Sequence, residues 1–483
     1  MPDDLVHVRL ESEDFPCDDL QIFELKGRES ISLPFVFTIG AATTKEQGLD
    51  CQAALGATAT LIFEVLGREV RRIHGMVAGI DDLLDTEPNT RSYQLLLVPR
   101  AQRLAFVTTQ EIFMDLSVPE ILKKKIENVG LSTDDLDMRL LQNYPKLEYV
   151  VQYKETDLAF VSRLAENVGI SFYFDHEGAA DKIVFADHNA SFPVIHGRET
   201  ASFRARGEKR DVYRVESQSR LVPRTHVVHD YNYRNAMLNP MGSAEAPSGL
   251  FGGVVEYGAH CKTPDEAENL ARIRAEETEA RHKTYLLESD LAWFSAGCRF
   301  TLEGHPKLGD TKLLVTEIEH AARFPISLFG GKTHIPYTNT FRALDESIPF
   351  RPARVTPKPK IFGVINGVIA HEQEGTESKF ARIDEYGRYL VRMMFDTAET
   401  GDRKVVSRRM RMAQPHAGAN YGHHFPLKPG IEVLIGFVDG DPDRPLILGA
   451  AYNSITPSPV VAKIAPTHRM KTATGILIEM KDA

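Results

Sequence analysis

The feature that most constrains this 483-residue chain is a stiff polar turn between two short apolar runs near its C-terminal end. The runs, residues 433–438 and 446–448, are rich in branched side chains and bounded by Gly and Pro, which is typical of strands. The turn reads Gly440-Asp441-Pro442-Asp443-Arg444-Pro445. Its two prolines have a fixed φ and no backbone donor, so the turn is stiff and no ladder continues through it. The sequence therefore predicts a β-hairpin at 430–453.

Upstream of this hairpin, the patterns first predict strands and then a mixed region. Residues 1–105 alternate apolar and polar side chains and contain no sustained helical period. Residues 106–205 contain two amphipathic helices, at 117–130 and 156–169, each ended by a glycine. Strands are predicted after them at 170–174 and 182–185. We expect a β domain followed by a small α/β domain.

Residues 206–345 return to strand patterns around one long helix. A Gly/Ser/Pro-rich stretch at 239–253 predicts a loop. Pro264 stands in the first turn of a helix that we expect to run to about residue 282. Its composition is mostly polar, which predicts a solvated helix with a narrow apolar seam. Strands are predicted at 298–302 and 312–318.

The C-terminal third begins with a stretch rich in proline and basic residues, 346–360, which predicts an extended linker and a domain boundary. Short strands then recur about every ten residues over 361–455, at 362–371, 379–383, 389–395, 410–413 and in the hairpin, a spacing that favours a small β-barrel. The tail, 456–483, contains one short strand at 476–481 that we expect to be isolated. Such a strand cannot bury its apolar side chains within one chain.

No pattern in the sequence predicts a catalytic site. Asp439, Asp441 and Asp443 alternate like calcium-loop ligands, but Arg444 and Ala450 occupy the positions where such a loop needs Gly and Glu. Turn-forming carboxylates and an Asp–Arg pair are therefore favoured there. The other weak candidates are His371-Glu372, which lacks the second histidine of a zinc-protease helix, and the adjacent pair His423-His424, for which a structural role is favoured.

Charge and cysteine content exclude several classes of protein. The net charge is −10 with both signs interspersed, so nothing predicts a nucleic-acid surface. Four cysteines fit buried thiols of a reducing compartment. The N-terminal stretch is charged and has no apolar core of signal-peptide length, and no apolar run approaches the roughly 20 residues that span a bilayer. We expect synthesis in the cytoplasm.

Several motifs together resemble one family, the VgrG spike proteins of type VI secretion systems, which are akin to the hub and tail-spike proteins of contractile phages. The motifs are YVVQYKETD at 149–157, DEYGR at 384–388, AGANYG at 417–422, GDPDRP at 440–445 and AYN at 451–453. The resemblance implies structural motif residues at two places: Tyr386, Gly387 and Arg388, and Gly440, Asp441, Pro442, Asp443, Arg444 and Pro445. It implies no catalytic, cofactor-binding or metal-binding residue.

The fold implied by the resemblance is mainly β with an α/β insertion: two hub β-barrels, an OB-fold barrel and the start of a trimeric β-helix. The boundaries would be hub barrel 1 at 1–105, the α/β insertion at 106–205, hub barrel 2 with its helix at 206–345, the linker at 346–360, the OB-fold neck at 361–455 and the start of the needle at 456–483. The tail strand would then pair with copies of itself, which closes its exposed edges by symmetry.

The implied function is that of a non-enzymatic, trimeric spike that punctures a target envelope and carries effectors on an Hcp-type hexameric tube. Further implied partners are a PAAR-type tip protein and baseplate components, with membrane contact only on puncture and release by the secretion machine. Two alternatives stay open. One is the tail hub of a phage-like or extracellular contractile particle, and the other is an envelope-glycan hydrolase.

Overall fold

Most of the alternating apolar stretches form β-strands in the computed structural model of the chain. The structure describes residues 6–84, 90–195, 198–204, 211–325, 335–370, 383–396 and 408–482. The chain divides into two units. The first unit is Met1–Val107, Val118–Tyr144 and Asp157–Pro357; the second unit is Thr108–Ser117, Pro145–Thr156 and Lys358–Ala483.

Strands outnumber helices throughout the described ranges. The helices are α1 Cys51–Ala54, α2 Val118–Asn128, α3 Asp157–Val168 and α4 Pro264–Glu279. The strands up to residue 202 are β1 Val6–Glu11, β2 Gln21–Ser30, β3 Leu33–Thr43, β4 Thr58–Val65, β5 Arg68–Asp82, β6 Arg91–Val98, β7 Thr108–Phe113, β8 Leu136–Arg139, β9 Val150–Thr156, β10 Ser171–Asp175, β11 Lys182–Ala186 and β12 Thr200–Ser202. The later strands are β13 Val212–Ser219, β14 Pro223–His229, β15 Met241–Glu245, β16 Phe251–Tyr257, β17 Lys283–Ser289, β18 Arg299–His305, β19 Gly309–Arg323, β20 Ile335–Asp345, β21 Ile365–Ile369, β22 Tyr389–Met393, β23 Arg409–Met410, β24 Ala417–Gly418, β25 Tyr421–Gly422, β26 Glu432–Phe437, β27 Pro445–Ala450, β28 Thr467–Lys471 and β29 Leu477–Lys481.

The two predicted hub barrels share one continuous sheet of twelve strands in the first unit. Its first part has the order β1-β4-β5-β6-β3-β2, and β2 pairs with β19 antiparallel, with Arg28 opposite Glu319. The second part runs β19-β20-β17-β13 on one side and β19-β18-β12 on the other. Phe203, directly after β12, bridges Val212 in β13, which closes these six strands into a barrel. Each part encloses its own hydrophobic cluster.

The α/β part of the first unit contains α2, α3 and the sheet β10-β11-β8. The two helices and both strands predicted here are confirmed. Lys125 of α2 and Asp157 at the start of α3 form a buried ion pair of 3.1 Å. The segments 108–117 and 145–156 fall inside the predicted insertion, yet they belong to the second unit, where β7 pairs with β9.

Between β13 and β17 the chain forms a separate three-stranded sheet, β15-β14-β16, covered by α4. The loop predicted at 239–253 is wrong, because β15 and the start of β16 lie in it and pair with β14. The helix prediction is confirmed, and Thr263 caps its first turn by accepting from the N–H of Glu266 at 3.2 Å. However, α4 is more buried than a solvated helix, since Arg274 and Glu277 are buried with the small residues of its inner face.

Residues 346–357, called the strap below, are extended but are held on the first unit. Buried Arg351 pairs with Glu276 at 2.7 Å and donates to the backbone oxygens of Gly169 and Asp187 at 3.0 and 2.7 Å. The other strap contacts are Arg354 with Glu277 and Glu256, and Thr356 with Glu166. The predicted extended linker is therefore fixed on the first unit over most of its length, and the change of unit comes after Pro357.

The second unit is built on the five-stranded sheet β23-β22-β21-β26-β27. Its core includes side chains from three separate parts of the sequence, such as Ile112, Val151 and Ile435. The strand predicted near 379–383 lies almost entirely outside the described residues. The tail strand is observed as β29, but it is not isolated, because it pairs antiparallel with β28. None of the helices in the described ranges has the length and hydrophobicity that a membrane span requires.

Candidate functional site

The double-proline turn joins β26 to β27 and is closed by three backbone hydrogen bonds. The N–H of Asp441 donates to the oxygen of Val438 at 3.1 Å, that of Arg444 to Asp441 at 2.9 Å, and that of Val438 to Arg444 at 3.0 Å. Gly440 has φ +70° and Asp439 has φ +55°, a left-handed region in which only Gly, Asn and Asp are common. The predicted hairpin is thus present, with Pro442 inside the turn and Pro445 at the start of β27.

Two carboxylates of this turn converge on one lysine. The Nζ of Lys358 lies 2.6 Å from an oxygen of Asp441 and 2.6 Å from an oxygen of Asp443. The N–H of Asp443 also donates to Asp441 at 2.9 Å. An ammonium group therefore occupies the place between these carboxylates that a cation would take in a calcium loop. Arg444 is only a loose partner of Asp441, at 3.8 Å.

The third aspartate of the alternating set lies apart from the other two. Asp439 is exposed and pairs with Lys360 at 3.4 Å. The three carboxylates consequently do not form one ligand set among themselves. Sequence spacing identified the Asp–Arg pair but missed Lys358, because the lysine lies some 80 positions upstream and no local pattern connects it to the turn.

Asp443 has a further partner that the sequence did not reveal. One of its carboxylate oxygens accepts a hydrogen bond of 2.6 Å from the backbone N–H of Val151, in strand β9. The Asp443 side chain is buried, and both of its oxygens have partners: the backbone N–H of Val151 on one and Nζ of Lys358 on the other. This residue ties three segments of the second unit together: the turn, the residue that follows the strap, and β9.

The second predicted motif, at 384–388, forms a capped turn before β22. Asp384 accepts from the backbone N–H groups of Tyr386 and Arg388 at 3.0 and 2.8 Å, and its other oxygen accepts from Nε of Arg388 at 2.7 Å. Burial alone would raise the pKa of Asp384, but these hydrogen bonds outweigh it and the pKa is lowered. Gly387 has φ +70°, and Tyr386 is exposed with the Arg388 guanidinium over its ring.

A shallow cleft of about 290 Å³ lies beside this turn. Its lining residues are Met114, Asp115, Glu148, Arg388, Leu390, Arg408 and Arg409. Arg388 is paired with Asp384, and Arg408 pairs with Glu148 at 3.3 Å. Two of the three arginines that line the cleft are thus already held in ion pairs, which suits a packed surface better than a reactive one.

The other residues singled out from the sequence have ordinary surroundings where they are described. His423 and His424 are exposed, and His424 Nε2 lies 3.1 Å from the hydroxyl of Tyr389. Burial raises the pKa of Cys298 to about 11 and that of Cys17 to about 12, so both thiols stay protonated and unreactive at neutral pH. The pair His371-Glu372 lies outside the described residues.

A buried polar network in the first unit was not predicted. Glu29 accepts from Arg71 at 2.6 Å and from Nε2 of His320 at 2.8 Å, and Nδ1 of His320 lies 2.7 Å from the hydroxyl of Tyr337. Burial lowers the pKa of His320, although Glu29 opposes this. Burial also works to raise the pKa of Glu29, but Arg71 and His320 hold that pKa at about 2.

A histidine close to this network is held neutral as well. Nδ1 of His176 accepts from the backbone N–H of His74 at 3.2 Å, and among the described residues its buried Nε2 has no hydrogen-bond partner. Burial lowers the pKa of His176 to about 3. Glu29, His320 and Tyr337 are buried, and His176 packs beside them against Phe35 and His74, which indicates a role in stability.

Comparisons with known proteins agree with this architecture. The family model of the phage tail baseplate hub (GPD) matches residues 28–324, and that of the type VI secretion system/phage-baseplate injector OB domain matches residues 383–452. Two Pseudomonas aeruginosa type VI secretion system spike proteins are similar: VgrG4b is 31% identical over 91% of this chain and 55% of its own length, and VgrG5 is 30% identical over 90% and 56%. The chain spans little more than half the length of these relatives.

One solved structure shows the same fold over nearly the whole chain. It is an E. coli component of the type VI secretion system, described as structurally similar to the T4 bacteriophage tail proteins gp27 and gp5. It superposes with a TM-score of 0.66 at 22% identity, covering 92% of this chain and all of that one. With the hub model matching more than half of its residues, the chain belongs to the phage tail baseplate hub (GPD) family.

Proposed function

We propose that the chain is the hub and neck of a trimeric type VI secretion spike, which punctures a target envelope and carries effectors on an Hcp-type hexameric tube. The observation that carries the proposal is the hairpin β28–β29. Leu477 and Ile478 are neighbours and point to opposite faces of it, and both are about half exposed. A two-stranded hairpin with apolar side chains on both faces is not stable alone in water.

Three copies would remove this difficulty. If three hairpins wind together, each covers the apolar face of its neighbour and the strand edges close by symmetry. Met470 and Ile478 are paired across the hairpin and Met480 lies on the same face, so this face offers apolar side chains to a neighbouring copy. The turn at 440–445 and the Lys358 pairs stiffen the barrel just before this hairpin in the sequence.

The hub barrels support the other proposed contacts. Two barrels per chain give six in a trimer, which suits a hexameric Hcp-type tube. A PAAR-type tip protein, baseplate components and effectors complete the proposed set of partners, and the secretion machine would release the spike from the cytoplasm. In this function the residues act through packing and stiffness and not through a reactive group. The carboxylates of both motifs are already engaged in salt bridges and turn caps, which supports a non-enzymatic role.

The decisive experiment is genetic. The gene is deleted in the organism that encodes it, and release of the tube protein into the medium is measured. We expect release to stop, the wild-type gene to restore it, and a gene carrying Leu477→Lys with Ile478→Lys not to restore it. Val461→Lys is the control, because Val461 is similarly exposed in the same unit. Undiminished release from the deletion strain would refute the proposal, and so would release of soluble glycan from peptidoglycan by the purified chain.

A further inference from the structure

The small sheet β15-β14-β16 has one face that is already filled. Helix α4 covers it, with Ala267 and Ala271 packed on Val228 and Ala244. The approach is so close that a Cβ added to Gly242 would lie 2.2 Å from the backbone nitrogen of Glu268. No additional element can enter on this side.

The opposite face of the sheet is open, and along β16 it is apolar, while Glu245 lies on the same side at the end of β15. In the parallel pair of β14 and β16, Val255 lies opposite Val227 and Tyr257 opposite His229. Phe251, Val255 and Tyr257 are 69%, 72% and 62% exposed, and Met241 of β15 is about half exposed on the same side. These four residues, Met241, Phe251, Val255 and Tyr257, are called the β16 face.

The β16 face has no charged side chain of its own strand. Glu256, the one charged residue of β16, pairs with Arg274 of α4 at 2.9 Å, on the covered side of the sheet. Strand β16 is also an edge, since no other strand in the described ranges pairs with the side away from β14. Soluble proteins usually protect such edges with charges, proline or a covering element.

The size of the face suits a permanent contact. At these exposures the four side chains present on the order of 500 Å² of apolar accessible surface. This is close to the area of the largest apolar patch on a typical monomer, roughly 300–600 Å². A standard interface buries about 800 Å² on each partner, and contacts between identical subunits are about 65% apolar. The β16 face thus provides about the apolar area that one partner contributes to such a contact.

We propose that the β16 face packs against a second copy of the chain. This inference rests on the proposed function for the presence of several copies. A permanent neighbour is favoured over a transient partner, because transient interfaces are more polar and leave their surface exposed between encounters. In a threefold ring the contact is heterologous, so the β16 face meets a different surface of the next copy.

The test compares the oligomeric state of three forms of the chain by sedimentation velocity. The variant combines Phe251→Lys with Val255→Lys, and the matched control is Phe106→Lys, because Phe106 is 71% exposed on another part of the first unit. We expect wild type and control to associate, and the double variant to associate more weakly, with a larger fraction of monomer at the same concentration and an unchanged circular dichroism spectrum. A double variant that associates like wild type would overturn the inference, as would a monomeric wild type.

A second readout does not depend on the variant folding correctly. Amide hydrogen exchange at 251–257 is compared in wild-type protein at high and low concentration. Exchange there is expected to slow on association, and no change would contradict the inference.

The proposed function is tested by a different measurement, the release of the tube protein. If the chain associates through the β16 face but is dispensable for tube release, the inference stands without it. If the chain is required for release but the double variant still assembles, only the inference falls.

Discussion

The buried carboxylate of Asp443 accepts a hydrogen bond of 2.6 Å from the backbone N–H of Val151, across 292 residues of sequence. With Lys358 on its other oxygen, Asp443 joins the double-proline turn to strand β9 and to the first residue after the strap. The motif predicted from GDPDRP is therefore the meeting point of three chain segments in the second unit, and its stability can be tested residue by residue.

Asp443→Ala is expected to destabilise the second unit by about 3 kcal/mol, because it removes the buried acceptor of the Val151 N–H and one of the two carboxylates on half-buried Lys358. The measurement is amide hydrogen exchange in β26 and β27 as a function of urea. Asp439→Ala is the control, since the Asp439 side chain is 82% exposed and its single ion pair is worth little. Equal effects of the two substitutions would contradict the role assigned to Asp443.

Gly440→Ala is expected to cost about 1–2 kcal/mol, because an alanine must then adopt a φ of +70°. The matched control is Gly449→Ala in β27. Gly449 has no left-handed φ, and its added Cβ would meet open space. Hydrogen exchange of the barrel strands measures both variants, and a neutral Gly440→Ala would show that the turn is free to change its shape.

Gly242→Ala tests how closely α4 packs on β15. Its Cβ would lie 2.2 Å from backbone that cannot move without shifting the helix, so a loss of about 1–3 kcal/mol is expected. Gly79→Ala in β5 is the control, because its added Cβ meets a side chain at 3.6 Å, an ordinary contact. The measurement is the urea concentration at the midpoint of unfolding of the first unit, monitored by amide hydrogen exchange in α4.

Arg351→Met is expected to release the strap. The substitution removes two hydrogen bonds to backbone oxygens and the pair with half-buried Glu276, so amides at 346–357 should exchange faster. Arg28→Met, which breaks a surface pair of 4.0 Å, should leave them unchanged. Unaltered exchange in the strap of the Arg351 variant would show that the prolines alone hold it.

Stability should fall as the pH is lowered from neutrality. The pKa of His176, about 3, and the lowered pKa of His320 both lie below the value of about 6.5 expected in the unfolded chain. The unfolded state therefore binds more protons, and each histidine contributes a loss of about 1.4 kcal/mol per pH unit below 6.5 until its folded pKa is reached. Glu29, with a pKa of about 2, adds a loss below about pH 4.5.

Urea unfolding of the first unit at pH 7, 6, 5 and 4 measures this dependence. His176→Gln should reduce the slope between pH 6 and 4 by about one proton, because Gln does not titrate. A Glu319→Gln variant is the control, since Glu319 is exposed on the same barrels. A slope that is identical in wild type and His176→Gln would show that His176 is not held neutral by burial.

Local elements were predictable because their signals are local. Helices α2 and α3 have apolar residues at helical spacing and a glycine after their last turn, and the hairpin at 430–453 has branched runs around its prolines. These patterns need no distant partner to be read, and the structure agrees with each of them.

The misplaced features depend on distant partners. Strand β15 lies in a Gly/Ser/Pro-rich stretch that forms a strand only because β14 pairs with it and α4 packs on Gly242. The linker is fixed because Arg351 reaches Glu276, and β28 is a strand because β29 returns beside it. Lys358 and Val151 could not be assigned to the turn for the same reason. The domain boundaries implied by the resemblance stay predictions. The two compact units are each assembled from separate segments and do not correspond one to one with the predicted domains.

The second unit is assembled from segments that lie far apart in the sequence, and this affects how the protein is made. Strands β7 and β9 leave the ribosome about 300 residues before the sheet of the second unit is complete. At a synthesis rate of about 5–20 residues per second, that interval is roughly 15–60 seconds. During this time the apolar side chains of Ile112 and Val151 lack the barrel side chains that later bury them. The nascent chain therefore has a predictable period in which a chaperone would bind it, and the barrel completes its core only after β27 has been synthesised.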